Sequence, residues 1–404
     1  MKNIWYACVL LTVVSNSHAQ TWQKITAMPG GSRDAGIAFT VGNKIYSGGG
    51  SGAGGRDFYQ YDIQNKKWTK KASIPGVDTN RGFAAAFSIN GKGYVGMGSD
   101  GIYVPSVKHD LWEYDPVADT WLRKSDYPGG NRDGIGVFVI GNKAYVGGGL
   151  DSGFFGDQNF YEYDPAVDKW SQKTDLPIGP IIFPSMFTIG NYGYLTCGGG
   201  FSGEFTDLWR YDAAKDSWDQ MASFTGAPRQ ACATFALCGK GYVGLGQTGY
   251  TSAFNDMYSY DPLKDAWQKE GNFSGKARAW VTSITVADTV YIGNGASFNG
   301  GLITLNDWWS LTPVVANVNN SSTSSESHIY SYPNPAQDKL QIAGLAGEEN
   351  YAVIISDILG REVGRTSFSS GVTPSLDIRD LRFGTYNVAL RGGTGVTTMR
   401  FVKE

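Results

Sequence analysis

Histidine is almost missing from this sequence, with three in 404 residues at His18, His109 and His328. These fall in three segments of different character, so no histidine cluster for zinc or copper can form, and no Ser-His-Asp triad either. Cysteine is scarce too, at Cys8, Cys197, Cys232 and Cys238. Cys8 belongs to an N-terminal apolar run, and the three that follow are an odd number, so at least one is unpaired. Cys232 and Cys238 sit on one expected strand and its turn. At a rise of about 3.3 Å per residue they stand too far apart for a mutual bridge. Buried small hydrophobes, and a fold without disulfide staples, are the expectation. Charge of one sign is also lacking: 34 basic against 37 acidic residues give −3. With no long basic run, capture of nucleic acid or an anionic membrane is excluded as the main activity. Long apolar stretches are missing as well. The one run, Ile4 to Val14, is too short to span a bilayer, so no integral membrane segment is expected.

That run has another reading. Lys2 precedes it, and Ser17-His18-Ala19 places small residues at −3 and −1 before Gln20, which predicts a signal peptide over residues 1–19. Cys8 lies inside the apolar core rather than just after the cleavage point, so no lipid anchor is expected.

Glycine and aromatics are plentiful, with 55 Gly, 23 Tyr and 12 Trp, a composition that suits short strands and tight turns. They are also periodic. Tyr46, Tyr94, Tyr145, Tyr194, Tyr242 and Tyr291 stand 48, 51, 49, 48 and 49 residues apart, each followed by a glycine-bearing segment. Tyr-Asp recurs at Tyr61-Asp62, Tyr114-Asp115, Tyr163-Asp164, Tyr211-Asp212 and Tyr260-Asp261, and Trp68, Trp121, Trp170, Trp218 and Trp267 each follow the Asp by six. Segments such as DGIGVFVIGNKAYVGGG read as two apolar strands around a Gly-Asn-Lys turn. Asp-Pro at Asp115-Pro116, Asp164-Pro165 and Asp261-Pro262 opens a turn between two outer strands.

A period near fifty with Gly-Gly, Tyr-Asp and Trp resembles kelch repeats. The resemblance covers about residues 21 to 315. It implies an all-β fold, a six-bladed propeller over residues 20–316 in which each repeat is one four-stranded blade. The sixth copy keeps Asn306-Asp307-Trp308-Trp309 but has no later Trp. Trp22, followed by Ala-Met-Pro as Trp68 is followed by Ser-Ile-Pro, is expected to supply that blade's outer strand and to close the ring with the N-terminal strand. Kelch propellers include adaptors, a copper oxidase and a sialic-acid mutarotase, so the fold leaves the activity open. The copper-oxidase form needs paired His ligands that this sequence lacks, and the Asp box of sialidase propellers is absent too. No metal or other cofactor is expected.

After Pro313 the chain turns polar, and NVNNSSTSSES over residues 317–327 reads as a linker. Strands expected at Lys339–Ile342, Tyr351–Asp357, Leu376–Ile378 and Tyr386–Leu390 predict a small antiparallel sandwich. YPNPAQDKL, ISDILGREV, LRFGTYNVAL and TTMRFVKE together make residues 328–404 resemble the C-terminal sorting domain of type IX secretion in Bacteroidota. That likeness implies export through the periplasm to the medium or the outer-membrane surface, with the type IX machinery as partner of residues 328–404.

Thirteen residues before each repeat tyrosine stand Arg33, Arg81, Arg132, Ile181, Arg229 and Arg278. In a propeller this register opens the innermost strand at one mouth of the channel. Phe83 and Trp280, two residues beyond their arginines, share it, and Phe183 marks the blade where Ile181 breaks the pattern. Loops carrying Tyr103, Phe154, Phe155, Phe201, Phe205, Tyr250, Phe254 and Phe298 return to the same face. A ring of guanidinium groups among aromatics suits a carboxylate or a sugar. Two other readings stand beside it: each Arg bonds a neighbouring carbonyl or pairs with Asp34 or Asp133, and Phe83 and Trp280 are core. Asp57, Asp110, Asp207, Asp256 and Asp307, with Asn159 in the third copy, recur in phase and are read as turn caps. The expected function is non-catalytic binding of a glycan or an acidic peptide or protein. The alternative is a metal-independent, mutarotase-like enzyme acting on an acidic sugar, with Glu204 and Asp157 as the acid/base candidates. A third reading is a purely structural spacer, in which the mouth arginines would all be paired internally.

Overall fold

The computed structural model describes residues 22–312 apart from 54, 78–79, 101–105, 238, 287–288 and 299–300. It also describes residues 330–403 apart from 333–337, 344–350, 358–361, 369–374, 383 and 393–394. The expected signal peptide and linker, and Tyr103, Cys238 and His328, lie outside the described residues. The chain divides into two units, Met1–Ala316 and Asn317–Glu404.

In the first unit each sequence repeat folds into a four-stranded antiparallel sheet, and six such sheets follow one another. The third sheet serves as the pattern: Gly136–Ile140, Lys143–Gly147, Phe160–Asp164 and Lys169–Lys173, each strand paired with the next. Phe138 stands opposite Tyr145, and Tyr163 opposite Trp170. The innermost strands begin the six sheets at Ile37–Val41, Ala85–Ile89, Gly136–Ile140, Ser185–Ile189, Ala233–Leu237 and Thr282–Val286. Each touches the next, and Thr282–Val286 touches Ile37–Val41. The outer strand of the sixth sheet comes from the N-terminus. Gln23–Ile25 pairs antiparallel with Trp308–Leu311, Lys24 facing Trp309. Trp22 beside it packs edge-on against Phe273 at 4.9 Å.

Three local devices join one sheet to the next. The first is glycine in the second strand: a Cβ at Gly93 would lie 2.0 Å from the Phe39 ring, so only glycine admits that neighbour. The second is the repeat tryptophan, whose indole reaches the connection leaving the preceding sheet. Trp121 Nε1 donates to the Ala72 carbonyl at 3.0 Å and Trp170 Nε1 to Ser125 at 2.9 Å. The third is an aspartate five residues after the Tyr of Tyr-Asp. Asp168 accepts from the Tyr163 hydroxyl at 2.7 Å and from the Ser125 backbone N–H at 3.0 Å. Asp119, Asp216 and Asp265 repeat the arrangement with Tyr114, Tyr211 and Tyr260. Burial, reinforced by Asp168, pushes the Tyr163 phenol well above its ordinary value, so the hydroxyl donates at any working pH.

The second unit is built of two antiparallel sheets. One orders Tyr330–Tyr332, Lys339–Ala343 and Ser375–Asp377; the other orders Glu362–Phe368, Tyr351–Asp357, Gly384–Gly392 and Gly395–Lys403. Their shared core includes Leu340, Ile342, Val353, Leu376, Val388 and Phe401.

Candidate functional site

The five arginines expected to ring the channel mouth do not stand open. Arg33, Arg81, Arg229 and Arg278 have no exposed surface. Each reaches the carbonyl sixteen residues on: Arg33 to Gly49 at 3.1 Å, Arg81 to Met97 at 2.8 Å, Arg229 to Leu245 at 3.1 Å and Arg278 to Asn294 at 3.1 Å. Arg81, Arg229 and Arg278 also grip Asp110, Asp256 and Asp307 through two nitrogens each, with distances from 2.6 to 3.3 Å. Burial raises those three carboxyls, yet the guanidiniums more than offset it and hold them below the usual carboxylate range. The free-ring expectation is therefore corrected at these four positions, because each guanidinium is buried and its terminal nitrogens are bonded to carbonyls or aspartates of the fold, which is the other reading the sequence allowed. The aspartates read as turn caps are, at these three sheets, ion-pair partners. Arg132 differs. Asn159 replaces the aspartate there, so Arg132 turns its Nε to Asp157 at 3.1 Å and keeps part of its side chain exposed. Asp34 and Asp133, weighed as ion-pair partners of the neighbouring arginines, form no ion pair with them among the described contacts.

Two residues beyond each arginine register lies a second ring: Ala35, Phe83, Gly134, Phe183, Ala231 and Trp280. All six have left-handed backbones, φ from 47° to 59°. Five are not glycine, at a cost of about 1 kcal/mol or more each, and the neighbouring backbones hold them there. Phe183 N–H donates to Gly134, Gly134 to Phe83, Phe83 to Ala35, Ala35 to Trp280 and Trp280 to Ala231, all at 2.9–3.1 Å. Small residues alternate with large ones, which leaves room for three aromatics. Phe83 lies 5.4 Å from Phe183 and 5.9 Å from Trp280, and Phe183 lies 6.5 Å from Trp280. Phe298 and Tyr250 flank Trp280 at 5.4 and 6.1 Å. Phe83, Phe183 and Trp280 thus meet as one aromatic plug, and Phe83 and Trp280 are buried in a hydrophobic cluster, as the core reading of those two has it.

Around this plug are polar atoms that the protein leaves without partners. Asp34 Oδ1, Asp133 Oδ1, both amide atoms of Gln247 and the Trp280 indole nitrogen are buried with no hydrogen bond. Such orphans are rare in folded proteins and each needs an explanation. Burial pushes the Asp34 and Asp133 carboxyls up to about 6; the Asp34 backbone N–H and the Ser51 hydroxyl at Asp34, and the Ser99 hydroxyl at Asp133, act in the opposite sense, so it is Gln247 and Trp280 whose side-chain polar atoms are left wholly without partners. The rim above is apolar: Phe154, Phe155, Phe201 and Tyr250 are all more than half exposed. Of the two acid/base candidates, Asp157 is held by Arg132 and by Asn159, and Glu204 accepts from the Gly249 N–H at 2.9 Å. Asp34, Asp133 and Gln247 are not among the candidate site residues that the sequence singles out. The signal available was the Arg-Asp dipeptide at Arg33-Asp34 and Arg132-Asp133, read there only as a possible ion pair.

Residues 330–404 match the family described as secretion system C-terminal sorting domain, which implies export to a secreted or cell-surface location. N-acetylneuraminate epimerases of Escherichia coli (strain K12) and of Shigella flexneri are each 32% identical to this chain over 118 residues, covering 27% of it and 32% of those proteins. The chain thus matches about a third of the length of these curated relatives. In three dimensions it is similar to a solved structure described as that of YjhT. The TM-score is 0.62 at 19% identity, over 72% of this chain and 98% of that one, a likeness that establishes a propeller-like fold. Among the described residues no helix is long and apolar enough to cross a membrane.

Proposed function

We propose that residues 20–316 form a six-bladed kelch-type propeller, its ring closed by the N-terminal strand, and that its mouth binds a sugar without transforming it. On this reading residues 1–19 direct the chain into the periplasm of a member of the Bacteroidota, and residues 328–404 engage the type IX machinery. The ring is supported by the inner-strand contacts that run from first sheet to sixth and back to the first.

The sugar reading rests on one observation: the unpartnered amide of Gln247 and indole N–H of Trp280, with the buried carboxyls of Asp34 and Asp133, stand beside a cluster of aromatics. Sugar hydroxyls both donate and accept, so they satisfy carboxyl, amide and indole groups together. The apolar ring face of a sugar packs on Tyr250, which is about half exposed. An acidic peptide fits less well, because four of the guanidiniums it would seek are fully buried, Arg132 is held by Asp157, and two carboxyls, Asp34 and Asp133, stand nearby. The relatives named for N-acetylneuraminate support a sugar as the ligand class.

The enzymatic alternative also has an observation in its favour. Carboxyls pushed up to about 6 at Asp34 and Asp133 can exchange protons near neutral pH, as opening and closing a sugar ring requires. A glycan array and saturation-transfer NMR on the exported protein, with neutral and acidic sugars, test the proposal. Sugar binding with anomer exchange no faster than in buffer is expected. Accelerated exchange selects the mutarotase, and binding of acidic peptides but no sugar overturns both.

A further inference from the structure

The fourth and fifth sheets meet at two thiols that no part of the sugar site uses. Cys197 follows the strand Tyr192–Thr196, and Cys232 precedes the strand Ala233–Leu237. Cys197 is fully enclosed, and Cys232 packs against the same apolar cluster, which includes Phe187, Leu208, Phe224 and Val243. Both are free thiols, and their side chains lie within hydrogen-bonding reach of each other. The backbone fixes this approach: Gly198 N–H, next to Cys197, donates to the Arg229 carbonyl at 2.9 Å, three residues before Cys232. Cys232 Sγ also lies 2.9 Å from where a Cβ at Gly246 would stand, so the thiol is wedged beside the segment that carries Gln247. Spacing along the sequence did not reveal the pair, since Cys197 and Cys232 belong to different repeats.

The surroundings differ in a way that matters for chemistry. Burial pushes the Cys197 thiol well up. At Cys232 burial acts in the same sense, but the hydrogen bond from Cys197 and the Arg229 guanidinium outweigh it and favour the thiolate. A chain with a secretion sorting domain leaves the reducing cytosol, and disulfides persist in the compartments beyond it.

We propose that Cys197 and Cys232 are a disulfide in the exported protein, a covalent tie between the fourth and fifth sheets beside the mouth. The oxidant is the disulfide of a thiol–disulfide oxidoreductase, met at Cys232, the less buried of the two thiols. The Cys232 thiolate attacks one sulfur of that disulfide, breaking its S–S bond and releasing the other sulfur as a thiolate. The Cys197 thiolate then attacks Cys232 Sγ, forming the new S–S bond and releasing the oxidoreductase. Two electrons pass to the oxidoreductase, and the two protons lost by the cysteines reprotonate its sulfurs, leaving it a dithiol.

The test is thiol mapping on the protein collected after export, without reductant. The sample is denatured in N-ethylmaleimide, digested and analysed by mass spectrometry, with and without reduction. The expected result is one cross-linked species joining the peptides of Cys197 and Cys232, two hydrogens lighter than the reduced pair, with Cys238 alkylated throughout. Alkylation of both Cys197 and Cys232 before reduction overturns the proposal, as does a link from either to Cys238. Melting gives a second readout. Dithiothreitol is expected to lower Tm of the exported protein by about 5–10 °C and to leave a Cys197→Ser/Cys232→Ser variant unchanged. An equal response of the two proteins overturns the cross-link.

Discussion

Arg81 and Asp110 face each other through two parallel hydrogen bonds, Nη1 to Oδ1 at 2.8 Å and Nη2 to Oδ2 at 2.7 Å, with the guanidinium fully buried. Arg81 also holds the Met97 carbonyl at 2.8 Å, so one side chain ties the start of the inner strand to the loop side of its own sheet. Removing one partner leaves a buried charge uncompensated, which costs roughly 3–5 kcal/mol. Asp110→Ala is therefore expected to lower stability by about that amount in urea melts. Arg81→Met/Asp110→Leu is expected to cost less than the sum of the single changes, because it removes both charges. Additive losses would mean that the two residues act separately.

The aspartate latch predicts a smaller, repeated effect. Asp168 joins Tyr163 in its own sheet to the Ser125 N–H of the preceding connection. Asp168→Ala strands a buried hydroxyl and an amide, at about 1–3 kcal/mol. Asp216→Ala is expected to match it, since Tyr211 and Thr174 stand in the same relation. Lys66 holds the equivalent place in the first sheet, so Lys66→Ala is expected to change stability by no more than a few tenths of a kcal/mol. Denaturant midpoints of the three variants check the ordering.

Trp22 anchors the N-terminal strand against Phe273 and the core that also holds Leu311. Trp22→Ala is expected to cost about 3–5 kcal/mol. Deleting residues 20–28 should lower Tm further, since it also unpairs Trp308–Leu311 along one edge. Scanning calorimetry that finds the truncated protein melting within a degree or two of the whole would show that the strand is dispensable.

Asp133 makes a prediction about pH. Burial disfavours the charge and pushes the Asp133 carboxyl up to about 6 from an ordinary value of 3.8. A raised folded value means that the native state binds the extra proton, so this group's contribution is fully present below about pH 4. It is lost as pH rises towards 6 and beyond. Asp133→Asn removes the penalty of ionising a buried carboxyl. The variant is expected to be more stable than the parent by about 2–3 kcal/mol at pH 8, with little difference at pH 4. Asp110 acts in the opposite sense. Its lowered carboxyl gives stability above the ordinary value that is lost on further acidification.

The repeats could be read in the sequence because each Tyr, Gly and Trp recurs with the geometry that demands it. Tyr163 pairs across to Trp170, and Gly93 admits Phe39, so the periodic residues are the contacts between strands and sheets. The same regularity left the arginines open to two readings. A residue that recurs in every copy is as readily a fixture of the fold as part of a shared ring of ligand contacts, and Arg81, Arg229 and Arg278 are fixtures. The copies differ instead two residues further on: Ala35, Phe83, Gly134, Phe183, Ala231 and Trp280 share one register with unlike side chains. Asp34, Asp133 and Gln247 were hidden because their meaning lies in what they fail to bond, which spacing cannot express. The Cys197 and Cys232 pair was hidden for a related reason, since the approach of two sheets is a tertiary fact.

Isothermal titration of the best-bound sugar into the exported protein and its Gln247→Ala variant tests the mouth most directly. Gln247 contributes two buried, unpartnered amide atoms and no hydrogen bond to the fold through them. The expected result is affinity weakened about tenfold by loss of hydrogen bonds to the ligand, with Tm unchanged. Equal affinity in the two proteins would contradict a sugar site at this mouth.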